Sequence, residues 1–166
     1  MIEMKVAGIA LDAVSRSPII LLKDASERRA LPIYIGQDQA KAIINAVEKQ
    51  TPPRPFTHDL IINMLGSCNV HIDRVLINSL QDNTFYAVIV IVQNGVSQEI
   101  DARPSDAIAL AVRSKASIWV MEEVIADASI PVDRDADEEE RKAFRSFVSD
   151  LRPSDLIKRG GYRLES

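Results

Sequence analysis

Asp101, Arg103 and Asp106 fall within the segment Asp101-Ala102-Arg103-Pro104-Ser105-Asp106, directly ahead of the almost wholly apolar run Ala107-Ile108-Ala109-Leu110-Ala111. Proline suits the first turn of a helix, where its missing N–H is not needed, and Asp106 then meets the positive end of the helix dipole. A second collection, Arg54-Pro55-Phe56-Thr57-His58-Asp59, also precedes an apolar helical pattern. Carboxylates of this kind bind hard cations or activate water, an imidazole near its working range moves protons, and arginine clamps an anion with two donors. The competing reading is structural: Asp106 caps its helix and an arginine pairs with a carboxylate. A second Arg-Pro-Ser-Asp at Arg152–Asp155 shows that the tetrapeptide is itself a helix-start device, so chemistry at Asp106 must rest on its neighbours in space.

The elements that must position these groups are legible from hydropathy. Three strands are expected at Glu3–Leu11, Pro18–Lys23 and Ala30–Ile35, the second apolar on both faces and therefore covered on both. Ala40, Ile43, Ile44 and Val47 follow the spacing of an amphipathic helix that Pro52-Pro53 cannot continue. A second helix is expected from an N-cap at Thr57 through Leu60, Ile61, Met64 and Leu65 to Gly66. A meander follows: Val70–Asn78, a turn at Gln81-Asp82-Asn83, Phe85–Val92, an Asn94-Gly95 turn and Val96–Asp101, whose alternation turns Asp101 to the polar side. The helix from Pro104 to about Lys115 is apolar all round and should be central. A short strand, Ser117–Met121, ends at Glu122-Glu123, which strand periodicity sends to opposite faces.

Composition sets outer limits. The 166 residues carry 46% hydrophobic and 27% charged side chains, enough for one globular domain. That domain is expected to be α+β, with packed helices on a mixed or antiparallel sheet, over residues 1–130. A charged C-terminal helical extension, 131–166, would dock through Phe144, Phe147, Val148 and Leu151. One cysteine, Cys68, excludes an internal disulfide, and His58 with His71 cannot make a structural zinc cluster. No apolar run is long enough for a membrane span, and Met1-Ile2-Glu3-Met4-Lys5 lacks the form of a signal peptide, so a cytoplasmic protein with no membrane partner is expected. A net charge of -4 argues against binding nucleic acid through the overall field, but not through a local basic groove.

Leu31-Pro32-Ile33-Tyr34-Ile35-Gly36, Arg54-Pro55-Phe56-Thr57-His58-Asp59-Leu60, Asp82-Asn83-Thr84-Phe85-Tyr86-Ala87 and Asp101 through Ala111, in this order, resemble the bifunctional nuclease domain family. The resemblance covers roughly residues 3 to 130. It implies an α+β domain, usually self-associating, in a family whose name comes from cleavage of both DNA and RNA by some members. Where the family usually has Glu in a Gly-x-x-Glu-Ala motif, this chain has Gln39, a neutral amide.

Phosphodiester cleavage needs a nucleophilic water, stabilisation of the charge gained in the transition state, and usually divalent ions held by carboxylates. The chain offers Asp59, Asp101 and Asp106 as metal ligands or general bases, with Mg²⁺ or Mn²⁺ the expected ions. His58 is a candidate acid or base, and Arg54 and Arg103 are candidate substrate clamps. The expected activity is a nuclease of low sequence specificity acting on DNA and RNA. The alternative is a non-catalytic regulatory domain that binds a ligand or a protein through the same Asp/Arg/His pocket. A homo-oligomer, most simply a dimer, is expected because strands such as Phe85–Val92 and the Phe144–Leu151 helix offer more apolar surface than a small monomer hides.

Overall fold

A computed structural model of the chain describes residues 1–132 and Lys142; the extension expected at 131–166, with the docking helix at Phe144–Leu151 and the second Arg-Pro-Ser-Asp, lies almost wholly outside the described residues. Residues Met1–Val132 make one compact α+β unit. Among the described residues there are four helices and one eight-stranded mixed sheet.

The chain opens with strands β1 (Ile2–Leu11), β2 (Pro18–Asp24) and β3 (Arg29–Tyr34), all paired antiparallel. Helices α1 (Gln37–Val47) and α2 (Thr57–Ser67) follow. Then comes a meander of β4 (Val70–Gln81), β5 (Thr84–Gln93) and β6 (Val96–Ala102). Its two connections are two-residue loops, Asp82-Asn83 and Asn94-Gly95, with positive φ at all four residues. That is the hairpin geometry whose twist matches the flanking strands, and asparagine and glycine tolerate it best. Helix α3 (Pro104–Ser114) then carries the chain to β7 (Ser117–Val120), and α4 (Glu122–Ala128) to β8 (Ile130–Pro131).

The strands run in the order β6-β5-β4-β7-β1-β2-β3-β8, with β7 parallel to β4 and antiparallel to β1. Strand β7 is thus the joint between an N-terminal and a C-terminal group of antiparallel strands. Its partners explain its burial: Ile118 and Val120 are buried beside Met4, Val75 and Ile77. Helix α3 packs on α1, α2 and the sheet, and Ala107 through Ala111 are all buried, as an all-apolar helix requires. Small alanines let its neighbours approach, and each fully buried Ile or Leu beside them is worth roughly 1.5–3 kcal/mol relative to exposure.

Three expectations change. Glu122 and Glu123 do not end a strand with side chains on opposite faces; they start α4, where carboxylates complement the positive helix end. Thr57 is the first helical residue of α2, not its cap; Phe56 precedes it, and the Asp59 carboxylate reaches back to accept the Phe56 N–H at 2.9 Å. The apolar stripes of the first two helices also do not all reach the core. Val47 is exposed, and α2 buries no residue fully, because one side packs on α3 while Leu60 and Met64 are left uncovered. No helix among the described residues is long and apolar enough to cross a membrane.

Candidate functional site

The starts of α2 and α3 meet, which follows from the packing of α2 on the buried α3. Arg103 occupies the position before α3, its carbonyl accepting the Ala107 N–H at 3.0 Å, and Pro104 fills the first turn without a wasted donor. Asp106, one turn along, then receives two cationic or polar partners. Arg103 Nε donates to its Oδ2 at 2.7 Å, and His58 Nε2 lies 3.0 Å from its Oδ1. His58 comes from the first turn of α2, 48 residues away in the chain.

The electrostatics of this triplet are one-sided. Partial burial of the Asp106 carboxyl resists ionisation, but the hydrogen bonds and charges of Arg103 and His58 outweigh it and hold the group below the ordinary carboxylate range. In return Asp106 raises the already high pKa of Arg103. An ionised carboxylate only accepts, so the proton in the His58–Asp106 bond sits on Nε2. The other ring nitrogen, Nδ1, is therefore an unprotonated lone pair in the neutral imidazole. It has no hydrogen-bond partner among the described residues.

A second ion pair lies two turns further along α3, about 10 Å by helical rise. Arg113 Nε donates to Asp59 Oδ1 at 2.8 Å, and Arg113 Nη1 donates to the Ala109 carbonyl at 3.0 Å. Asp59 is thereby committed twice, to Arg113 and to the Phe56 N–H. Burial opposes its ionisation, and these donors override it, so its pKa also falls. Arg113 is the residue that sequence reasoning missed. The only signal for it is its place seven residues after Asp106, on the same face of the helix.

Of the six expected residues, the structure brings together His58, Arg103 and Asp106. Asp59 is in the adjoining pair. Asp101 is exposed at the end of β6, opposite Val88, and Arg54 is exposed ahead of α2; neither makes an ion pair or hydrogen bond with a described side chain. The three-carboxylate metal set of Asp59, Asp101 and Asp106 is consequently not assembled. No group of three or more His, Cys, Asp or Glu suited to a metal occurs among the described residues. The physical reason is that each carboxylate is placed by a different element: Asp59 is turned toward Arg113, Asp106 toward His58, and Asp101 is exposed on the edge strand β6. Gln39 does not substitute, since its amide folds back over the Gly36 backbone at the start of α1 and makes no hydrogen bond to Asp59 or Asp106.

The fold is thus an α+β domain with a histidine–carboxylate–arginine triplet at paired helix starts. The sequence profile of the bifunctional nuclease domain matches residues 20–133, and the chain belongs to that family. It is also similar to two uncharacterized proteins of Mycobacterium tuberculosis, from strain CDC 1551 / Oshkosh and strain ATCC 25618 / H37Rv. Each is 36% identical over 162 residues, which cover 93% of this chain and 97% of the relative.

Proposed function

We propose that the protein is a nuclease that hydrolyses phosphodiester bonds of DNA and RNA with low sequence specificity, using the triplet at the starts of α2 and α3. The observation that carries this reading is the His58 Nε2–Asp106 Oδ1 contact at 3.0 Å; in a neutral imidazole held so by an ionised carboxylate, Nδ1 is left as a base. In the proposed reaction Nδ1 takes a proton from water as its oxygen bonds to phosphorus; the ester P–O bond breaks, and the imidazolium returns the proton to the leaving alkoxide. Arg103, whose side chain is 66% exposed and so reachable by substrate, binds a non-bridging oxygen, and Arg54 is a second clamp from the preceding loop. Mg²⁺ or Mn²⁺ would stabilise charge on the phosphate if bound, but both Asp106 oxygens are engaged by His58 and Arg103, and no metal-suited group occurs among the described residues. The three-carboxylate set does not fit it, and no step is assigned to the metal. Exposed Leu60 and Met64 support pairing of two copies, which light scattering at micromolar concentration tests by the mass it returns.

The test is cleavage of single-stranded DNA and RNA with Mg²⁺, with Mn²⁺ and with EDTA, by the wild type, His58→Ala and Asp106→Asn. Loss of a positioned base is worth about 10²-fold or more in rate, so both variants should fall by at least that while still melting cooperatively. Variants that cut at the wild-type rate would assign the activity to a contaminant. A wild type that cuts under none of these conditions would favour the second reading, a non-catalytic domain that binds a ligand or protein. The closed Asp59–Arg113 pair and Gln39 support that reading, since both remove carboxylates from chemistry.

A further inference from the structure

A cleft of about 830 Å³ lies between β1, the ends of α1 and α3, and the inner side of α2, and the triplet around Asp106 does not line it. Its wall is apolar, from Met4 and Val6 on β1 to Ile62 and the Val112 and Ile118 side chains beside it. The rim is cationic. Lys49 and Lys115 both line it and are exposed; of its two carboxylates, Glu3, like its neighbour-but-one Lys5, alternates away from the β1 face of Met4 and Val6, and Asp59 is already neutralised by Arg113. Lys49 and Lys115 follow the ends of α1 and α3, where cations also serve the helix dipoles. In a chain of net charge -4, this is a local reversal of sign. Phe56 borders the same cleft and leaves 43% of its surface exposed.

We infer that this cleft holds a stretch of single-stranded nucleic acid, its phosphates on Lys49 and Lys115 and a base against Phe56 and the apolar wall. The inference deepens the proposed nuclease reading and rests on it for the site of cleavage. Cationic tracks combined with an aromatic platform are how proteins hold single strands without reading sequence, and the volume is that of a small-molecule site, too small for a duplex. The cleft also adjoins the triplet through the chain itself. Asp59 lines the cleft and His58, its neighbour in α2, faces Asp106. Two turns of α3, roughly 10 Å, separate the cleft at Arg113 from Asp106, so a strand held in the cleft reaches the imidazole and Arg103 only by running on along the α2–α3 seam.

The experiment is fluorescence anisotropy of labelled 12-nucleotide DNA and RNA with the full chain in EDTA, over a salt series, for three proteins. These are the wild type, Lys49→Glu with Lys115→Glu, and Asn63→Trp; Asn63 is an exposed α2 residue that lines the cleft, so a tryptophan there fills space without changing charge. Tenfold or greater weakening is expected in both variants, with melting temperatures close to wild type. The salt slope of the double-lysine variant should drop by about 0.7 for each phosphate that a lysine no longer neutralises. Wild-type affinity in either variant, or no binding by the wild type, overturns the inference. The outcomes separate from those of the nuclease test. Cleavage that depends on His58 with unaltered binding by the cleft variants removes the cleft and leaves the nuclease, whereas lysine-dependent and Trp-sensitive binding without turnover keeps the cleft and removes the nuclease.

Discussion

The two ion pairs along α3 share residue types and differ in what they leave free. Arg113 is only 8% exposed, and its guanidinium donates through Nε to Asp59 and through Nη1 to the Ala109 carbonyl, so it braces α2 against α3. Arg103 is two-thirds exposed and holds Asp106 from the solvent side, while the imidazole on the other oxygen keeps a bare nitrogen. Burial between two elements makes an arginine–carboxylate pair a brace; exposure, with a donor or lone pair within reach of solvent, makes it a tool. The contrast also separates two aspartates that look alike in sequence, each in the first turn of its helix.

Four measurements break or sharpen this comparison, from the largest effect to the smallest. Asp59→Ala leaves the Arg113 guanidinium buried with one carbonyl partner, and breaking such a pair costs about 3 kcal/mol; denaturant unfolding should show that loss, and a change below about 1 kcal/mol would mean that the pair braces nothing. Asp106→Asn keeps the side-chain shape and part of the capping but gives up the charge, and a loss of about 1 kcal/mol is expected, together with the loss of cleavage described above. If it unfolds the protein instead, the triplet is structural.

The third measurement is the pH dependence. Both Asp59 and Asp106 have folded-state pKa values below the ordinary 3.8, so the stability they contribute is present above 3.8 and is lost as pH falls through it toward the folded values. Melting temperature should decline through that acid window, and Asp59→Asn should flatten the decline. An unchanged slope would show that Asp59 titrates alike in the folded and unfolded chain. Smallest is Arg103→Ala, whose exposed pair should contribute less than about 1 kcal/mol to folding, while substrate binding weakens. A stability loss as large as that of Asp59→Ala would erase the distinction between brace and tool.

Much of the fold was legible because period, turn residues and helix punctuation agree. The meander follows from alternating strands divided by Asp82-Asn83 and Asn94-Gly95, and α3 from Pro104 and its alanines. The start of α2 was misread by one residue because Thr57 has the chemistry of a cap while Asp59 bonds the preceding backbone N–H from inside the helix. Helix α4 escaped notice because its seven residues offer too few turns for a period. At the site, His58, Arg103 and Asp106 were readable as helix-start residues. Their meeting was not, since it depends on how α2 crosses α3, and neither was Arg113, which looks like any charge at the last turn of a helix. Asp101 was expected on the polar side of its strand, and it lies exposed on the edge strand β6 without a hydrogen bond to Asp59 or Asp106.

The place of β7 has a kinetic consequence. Hairpins closed by two-residue loops need little chain entropy, so β4-β5-β6 can form early and on its own, and β1-β2-β3, joined by loops of six and four residues (12–17 and 25–28), at a cost only slightly greater. Neither group completes the sheet until four residues, Ser117–Val120, enter between them and pair with strands on both sides. Those residues arrive only at the end of α3, which brings Asp106 to His58 and Arg113 to Asp59 in the same passage. The rate-limiting step of folding is then expected to be the docking of α3 with β7. Ile118→Val should slow refolding more than the matching deletion Ile89→Val in the meander, measured by stopped-flow refolding. On that route the protein would acquire its charged triplet in the step that closes its sheet.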